Sequence, residues 1–147
     1  MLCLNCESPN VTLAFEDDDG IDAFCCEECC RFYMKNKRNE QMDDVIRITK
    51  KYLKMLAVPP SSSAHNNLHI KTKRMFQCRI LVATQIKIGN LELIRSMRTK
   101  YIEVLGELDE ECNELVKNGV PEIVYFNLCE SVKESLSLFD NTILTME

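Results

Sequence analysis

Two cysteine clusters constrain the fold of this chain more than any other feature of its sequence. The stretch CLNC at residues 3–6 contains two cysteines, and FCCEECC at residues 24–30 contains four more of the nine in the chain. The first ten residues lack the basic start and apolar core of a signal peptide, so we expect an intracellular protein. Thiols stay reduced inside cells, where clustered cysteines indicate a metal site rather than disulfides.

The spacing of these cysteines is typical of a structural zinc site. Zn²⁺ prefers four ligands in a tetrahedron, and two short-range pairs of thiolates are a common set. Cys3 and Cys6 form the first pair, with C-x2-C spacing. The doubled cysteines leave three choices for the second pair: Cys26 with Cys29, Cys25 with Cys29, or Cys26 with Cys30.

The residues between the two clusters predict a β-hairpin. Apolar residues alternate over 11–16 and again over 21–24, and DDDG at 17–20 is a turn in which Gly20 can adopt a positive φ. The residues after the second cluster predict a short helix, because Glu27 and Glu28 stand where the helix dipole favours acids. A second helix is predicted from about residue 41 to residue 56.

Over residues 1–36 this arrangement resembles the MYM/FCS/TRASH-type zinc finger. The signature of that family is C-x2-C, an intervening hairpin, and then (F/Y)-C-S-x-x-C before a helix. The resemblance implies one structural Zn²⁺ with the ligands Cys3, Cys6, Cys25 and Cys29. The chain departs from the pattern at Cys26, where the family usually has serine, and Cys30 is an additional cysteine. Fingers of this type often mediate protein–protein contacts, and a similar one occurs in small late transcription factors of large DNA viruses.

The rest of the chain predicts helices, so the expected fold class is α+β, mainly α. A small zinc-bound β-hairpin and a short helix would precede a helical bundle or a long helical hairpin. Prolines followed by a Ser/Asn run after residue 58 predict a linker. We predict a zinc finger at 1–38, a connecting helix at 39–57, a linker at 58–68 and a helical body at 69–147.

Within the predicted body, residues 75–118 indicate one long helix, or two helices broken at Gly89–Asn90. Residues 79–88 also fit a strand. NGVP at 118–121 predicts a stop and the start of a last helix that runs to about Phe139.

An apolar stripe begins at Ile94, and its part over residues 101–115 steps by 4, 3, 4 and 3 residues, which is the spacing of a coiled-coil seam of two heptads. The members of the whole stripe are Ile94, Met97, Tyr101, Leu105, Leu108, Cys112 and Leu115. Two heptads are too short for a free coiled coil. We therefore expect the seam to pack within the chain or against a second copy, which would give a homodimer through this helix.

The net charge of −5 conceals a block pattern. Residues 1–30 carry −8 and residues 101–147 carry −9, whereas residues 31–70 carry +5 and residues 71–100 carry +7. The basic middle predicts contact with nucleic acid or an acidic protein surface, or ion pairs with the acidic blocks of the chain itself. The candidate nucleic-acid contacts are Arg74, Arg79, Lys87, Arg95, Arg98 and Lys100.

These patterns favour a protein without enzymatic activity. No catalytic constellation and no glycine-rich phosphate loop occur in the sequence. No apolar run is long enough to span a bilayer. We expect a zinc-stabilised structural or adaptor protein that docks onto a larger protein assembly, such as a viral particle, in the cytoplasm, the nucleus or a virion. The alternative is a transcription-associated factor that contacts nucleic acid through residues 71–100.

Overall fold

The computed structural model describes the backbone of residues 1–57, 66–119 and 123–147, and their side chains except those of 123–132. It is mainly helical with one N-terminal antiparallel hairpin, which confirms the predicted α+β, mainly α, class. The elements are β1 (Leu13–Asp17), β2 (Gly20–Phe24), α1 (Glu27–Met55), α2 (Asn66–Ile88), α3 (Leu91–Lys117) and α4 (Ile123–Met146). The chain divides into two compact units, Met1–Gln41 and Met42–Glu147, which we call the finger unit and the helical body.

The predicted hairpin is present, with β1 paired antiparallel to β2. Leu13 pairs with Phe24 and Asp17 with Gly20, so the turn consists of Asp18 and Asp19. The Asp17 carboxylate accepts a hydrogen bond from the Asp19 N–H (2.9 Å), which is the local bond that favours aspartate in turns. Gly20 has φ of 130°, a backbone conformation that glycine adopts without steric cost.

Helix α1 corrects the prediction of two separate helices after the cysteines. It runs without interruption from Glu27 to Met55. The residues between the two predicted helices, NKRNEQ at 36–41, contain neither glycine nor proline, so nothing in them ends a helix. The predicted border between the finger and the connecting helix at 38/39 falls inside this helix.

The predicted helical region 75–118 consists of two helices, and the strand alternative for 79–88 is wrong. Helix α2 ends before Gly89, which has φ of 88°, and Asn90 caps α3 by accepting a hydrogen bond from the Leu93 N–H (3.2 Å). Helix α2 begins inside the predicted linker 58–68, of which residues 58–65 lie outside the described residues. Helix α4 extends past Phe139 to Met146, and Pro121 lies outside the described residues. Among the described residues, no helix is long and apolar enough to cross a membrane.

The core of the helical body is built around the predicted seam of α3. Every residue of the apolar stripe except Met97, which is partly buried, is buried within the single chain. Helices α2 and α4 both pack against α3, and Tyr101 of α3 meets the Phe139 ring edge-on at 5.7 Å. The seam therefore packs within the chain, which is the first of the two alternatives that the sequence left open.

Candidate metal centre

Four cysteine thiols converge in the finger unit. The sulfur atoms of Cys3, Cys6, Cys25 and Cys29 all lie within 4.8 Å of one another. The Cys25 sulfur lies 3.5 Å from that of Cys6 and 3.5 Å from that of Cys29. Sulfurs at the corners of a tetrahedron around Zn²⁺ would be about 3.8 Å apart, given Zn–S bonds of about 2.3 Å. The cluster therefore has the dimensions of a site that can hold a metal ion.

Backbone hydrogen bonds place the first two cysteines beside the hairpin. The Glu7 N–H donates to the Cys3 carbonyl (2.9 Å), which closes a tight turn around Cys6, and Glu7 adopts a positive φ of 62°. The Leu4 N–H donates to the Ala23 carbonyl of β2 (2.9 Å). The C-x2-C turn is thereby attached to the strand that leads into Cys25.

The second pair of thiols comes from the junction between β2 and α1. Phe24 ends the strand, as predicted, and is completely buried, with Tyr33 at 5.4 Å and Phe15 at 6.3 Å between ring centroids. Cys25 follows the strand, and its carbonyl accepts a hydrogen bond from the Thr12 hydroxyl (2.8 Å). Cys29 lies in the first turn of α1.

The two additional cysteines stand outside the four-thiol cluster. The Cys26 side chain is exposed, and its sulfur lies 3.9 Å from that of Cys25 but not within 4.8 Å of all the others. It accepts a hydrogen bond from the Cys29 N–H (3.4 Å). Cys30 is partly buried, and it is not a member of the cluster either. Of the three pairings left open by the sequence, the geometry favours Cys25 with Cys29.

The thiols differ in how readily they lose a proton. Burial alone would raise the pKa of Cys3. Hydrogen bonds from the backbone N–H groups of Cys6, Cys25 and Asn5 together have a larger, opposite effect, and the pKa of Cys3 is lowered to about 6. Hydrogen bonding with the thiol of Cys6, and to a smaller extent with that of Cys29, raises the pKa of Cys25. The cluster thus shares protons among close sulfurs, and a cation that binds it must displace them.

Asn5 is a contributor that the sequence analysis overlooked. Its side-chain amide donates a hydrogen bond to the Cys29 sulfur (3.3 Å) and favours the thiolate of Cys29. Burial and the thiols of Cys26 and Cys6 outweigh this effect, and the pKa of Cys29 is raised. Asn5 lies in the sequence between Cys3 and Cys6, two of the proposed ligands, and this position is the signal that could have identified its role.

The six candidate nucleic-acid contacts are already engaged inside the helical body. Ion pairs join Arg74 to Glu107 (3.2 Å), Lys87 to Asp43, Arg95 to Glu147 (2.9 Å), Arg98 to Asp140 and Lys100 to Glu103 (3.9 Å). Arg79 is buried. The basic segment therefore pairs mainly with acidic residues of the same chain, which is one of the three interpretations that the sequence left open.

A second cationic stripe was not singled out from the sequence. Lys50, Lys51 and Lys54 are exposed on α1, and within the described part of the chain no carboxylate forms an ion pair with them. Their helical spacing places them on one side of α1. These lysines therefore add exposed, unpaired positive charge to α1, outside the segment 71–100.

Comparisons with protein-family models, with curated proteins and with solved structures find no match to this chain, which leaves the four-thiol cluster as the principal indication of function.

Proposed function

We propose that the finger unit binds one structural Zn²⁺ through Cys3, Cys6, Cys25 and Cys29, and that the protein is a non-enzymatic adaptor. The observation that carries this proposal is the approach of all four sulfurs to within 4.8 Å. Four thiolates are a preferred zinc set and close the coordination shell, which leaves no position for a reacting water. The role of the metal is then to hold the finger together in a reducing compartment, such as the cytoplasm, the nucleus or the interior of a virion.

The composition of the finger unit supports this structural role. Its buried apolar residues are Cys3, Ala23 and Phe24, which form a very small core for 41 residues. Units of this size rarely fold without a metal or disulfides. The described cysteines are all free thiols, so the metal is the stabilising element that we propose.

The surface of the finger unit supports docking onto another protein. Phe15, Ile21 and Phe32 expose 51%, 52% and 57% of their surface, in a unit whose first 30 residues carry −8. Exposed aromatic and aliphatic side chains within a charged surround are typical of interaction sites. The partner that fits is a protein surface with apolar groups and basic residues.

Metal content tests the first half of the proposal. Native mass spectrometry of protein purified under reducing conditions should show one zinc per chain. Cys29→Ser should lose it, whereas Cys78→Ser, which changes a partly buried thiol of the helical body, should keep it. A chain without metal but with intact disulfides among these cysteines would refute the zinc centre.

Crosslinking in the native source tests the second half. The chain should crosslink to a protein assembly, and Ile21→Ser with Phe32→Ser should reduce those crosslinks while zinc content is kept. The matched control is Leu144→Ser, which removes an apolar side chain of somewhat higher exposure (67%) from the helical body. Crosslinks to nucleic acid in place of protein would contradict the adaptor proposal.

The alternative function, contact with nucleic acid, has weaker support. The ion pairs of residues 71–100 reduce the free positive charge of that segment, and the first 30 residues are strongly acidic. Unpaired lysines on α1 are the remaining feature in favour of it. Binding of nucleic acid at low salt, with a salt dependence that is reduced by Lys50→Ala and Lys54→Ala, would support this alternative.

A further inference from the structure

Arg79 of α2 is a buried cation whose described contacts are all uncharged. Only 4% of its surface is exposed. Its Nε donates a hydrogen bond to the Thr49 hydroxyl (2.9 Å), and its Nη1 donates to the Ser135 hydroxyl (2.6 Å). The guanidinium also lies over the Phe76 ring, 5.0 Å from the centroid. These contacts hold the side chain in place without neutralising its charge.

Burial without a paired carboxylate among the described residues distinguishes Arg79 from the other cations of α2. Lys71, Arg74 and Lys87 of the same helix each pair with a carboxylate of the helical body. Within the described part of the chain, no carboxylate forms an ion pair with Arg79. A guanidinium has five N–H donors, of which the two hydrogen bonds use two. Burial lowers the pKa of Arg79, which reflects the cost of keeping this charge away from water.

Arg79 lines a cleft in the helical body. The cleft has a volume of about 240 Å³. Its other described lining residues are Glu134, Ser135 and an apolar wall of Val45, Ile48, Tyr52 and Leu138. A cavity of about 150 Å³ is sufficient to hold benzene, so a ligand with a small apolar body fits this volume.

We propose that this cleft binds a small monocarboxylate, with the carboxylate on the Arg79 guanidinium and the apolar body against the wall. Charge-assisted hydrogen bonds between guanidinium and carboxylate are strong, and a single buried cation balances a single negative charge. Glu134 already places a carboxylate at the cleft, which disfavours a doubly charged phosphate. The apolar wall favours an aromatic or short aliphatic acid over acetate. This site lies in the helical body and is independent of the proposed zinc centre.

Binding of benzoate to the full zinc-loaded chain tests the proposal, with benzyl alcohol and inorganic phosphate as matched probes. NMR titration should show saturable benzoate binding with a Kd of about 1 mM, and with amide shifts at Tyr52, Arg79 and Ser135. Benzyl alcohol has nearly the same size and no charge, and it should bind at least tenfold more weakly. Equal binding of the two probes, no saturable benzoate binding, or a preference for phosphate would overturn the assignment.

Two variants separate the charge of Arg79 from its packing. Arg79→Met keeps the length of the side chain and should abolish the preference for benzoate over benzyl alcohol. Since that change could also disturb the core, Glu134→Gln provides a second test. It removes a nearby negative charge and should tighten benzoate binding severalfold with an unchanged Tm. A lowered Tm with unchanged benzoate affinity would mean that Glu134 itself is the counter-ion of Arg79, and the proposal would be wrong.

Discussion

The finger unit and the helical body differ in what holds them together. Among the described residues, the buried apolar side chains of the finger are Cys3, Ala23 and Phe24, whereas fifteen residues of the body form one continuous core. The finger instead gathers four thiols around a common point. The comparison supports our proposal that one chain combines a unit whose stability depends on a metal with a unit whose stability depends on packing. Changes in the two units should therefore have separable effects.

The largest expected effect comes from removing a ligand of the finger. Cys25→Ser should lose the bound zinc and the fold of the finger, because structural zinc contributes about 10 kcal/mol or more in small fingers. Cys26→Ser changes a neighbouring exposed thiol outside the cluster and should keep both. Native mass spectrometry and amide NMR spectra of the two variants provide the measurement. Zinc loss in Cys26→Ser, with zinc retained in Cys25→Ser, would reverse the ligand assignment.

A core substitution should weaken the body and leave the metal content unchanged. Leu108 is fully buried in the seam of α3, and Leu108→Ala should lower the free energy of unfolding by about 2–5 kcal/mol. The control is Leu93→Ala on the same helix, where 43% of the side chain is exposed and the loss should stay below about 1 kcal/mol. Urea denaturation followed by circular dichroism gives both values. If Leu108→Ala also released the zinc, the two units would not be separable.

High pH should weaken the body through Tyr101. Burial raises the pKa of this phenol from 10.0 to about 12, because the charged form is disfavoured in the core. The contribution of Tyr101 is then complete below about pH 10 and is lost as the pH rises towards 12, up to about 3 kcal/mol.

Tyr101→Phe removes this titration. The free energy of unfolding should therefore fall less steeply above pH 10 in the variant than in the parent chain. If the free energy of unfolding fell equally steeply with pH in the two proteins, Tyr101 would ionise as readily in the folded chain as in the unfolded one, and the prediction would be wrong.

The ion pairs of the body should have the smallest effect. Arg95 and Glu147 are 60% and 43% exposed, so their interaction is screened by solvent. Arg95→Ala should cost less than about 1 kcal/mol. A double-mutant cycle with Glu147→Ala isolates the coupling between the two side chains, and a coupling of about 3 kcal/mol would contradict this weak contribution.

Local patterns in the sequence were sufficient to predict the hairpin and the cysteine cluster of the finger unit. The spacing of Cys3, Cys6, Cys25 and Cys29 and the turn at Gly20 depend on neighbouring residues, and the structure brings these cysteines together. The break between α2 and α3 was one of the alternatives that the sequence left open, because Gly89 and Asn90 are local signals for the end of one helix and the start of the next. The error in α1 arose because the charges after the second cysteine cluster and the pattern of residues 41–56 were interpreted as two helices, although no residue between them ends a helix.

The partners of charged residues could not be predicted from the sequence. Lys87 pairs with Asp43, and Arg98 pairs with Asp140, across more than forty positions of the chain. Such pairs depend on how helices pack, and periodicity in one helix carries no information about its neighbour. The burial of Arg79 is a similar case, since arginine is normally exposed and only the packed structure reveals an enclosed charge.

Hydrogen exchange measured by mass spectrometry, before and after removal of the metal with a chelator, tests the central claim most directly. We expect the amides of residues 1–30 to lose their protection on chelation, while those of α2 and α3 keep theirs, and zinc should restore the original pattern. Unchanged protection in residues 1–30 would contradict a metal-stabilised finger, and simultaneous loss of protection in both units would contradict the distinction between them.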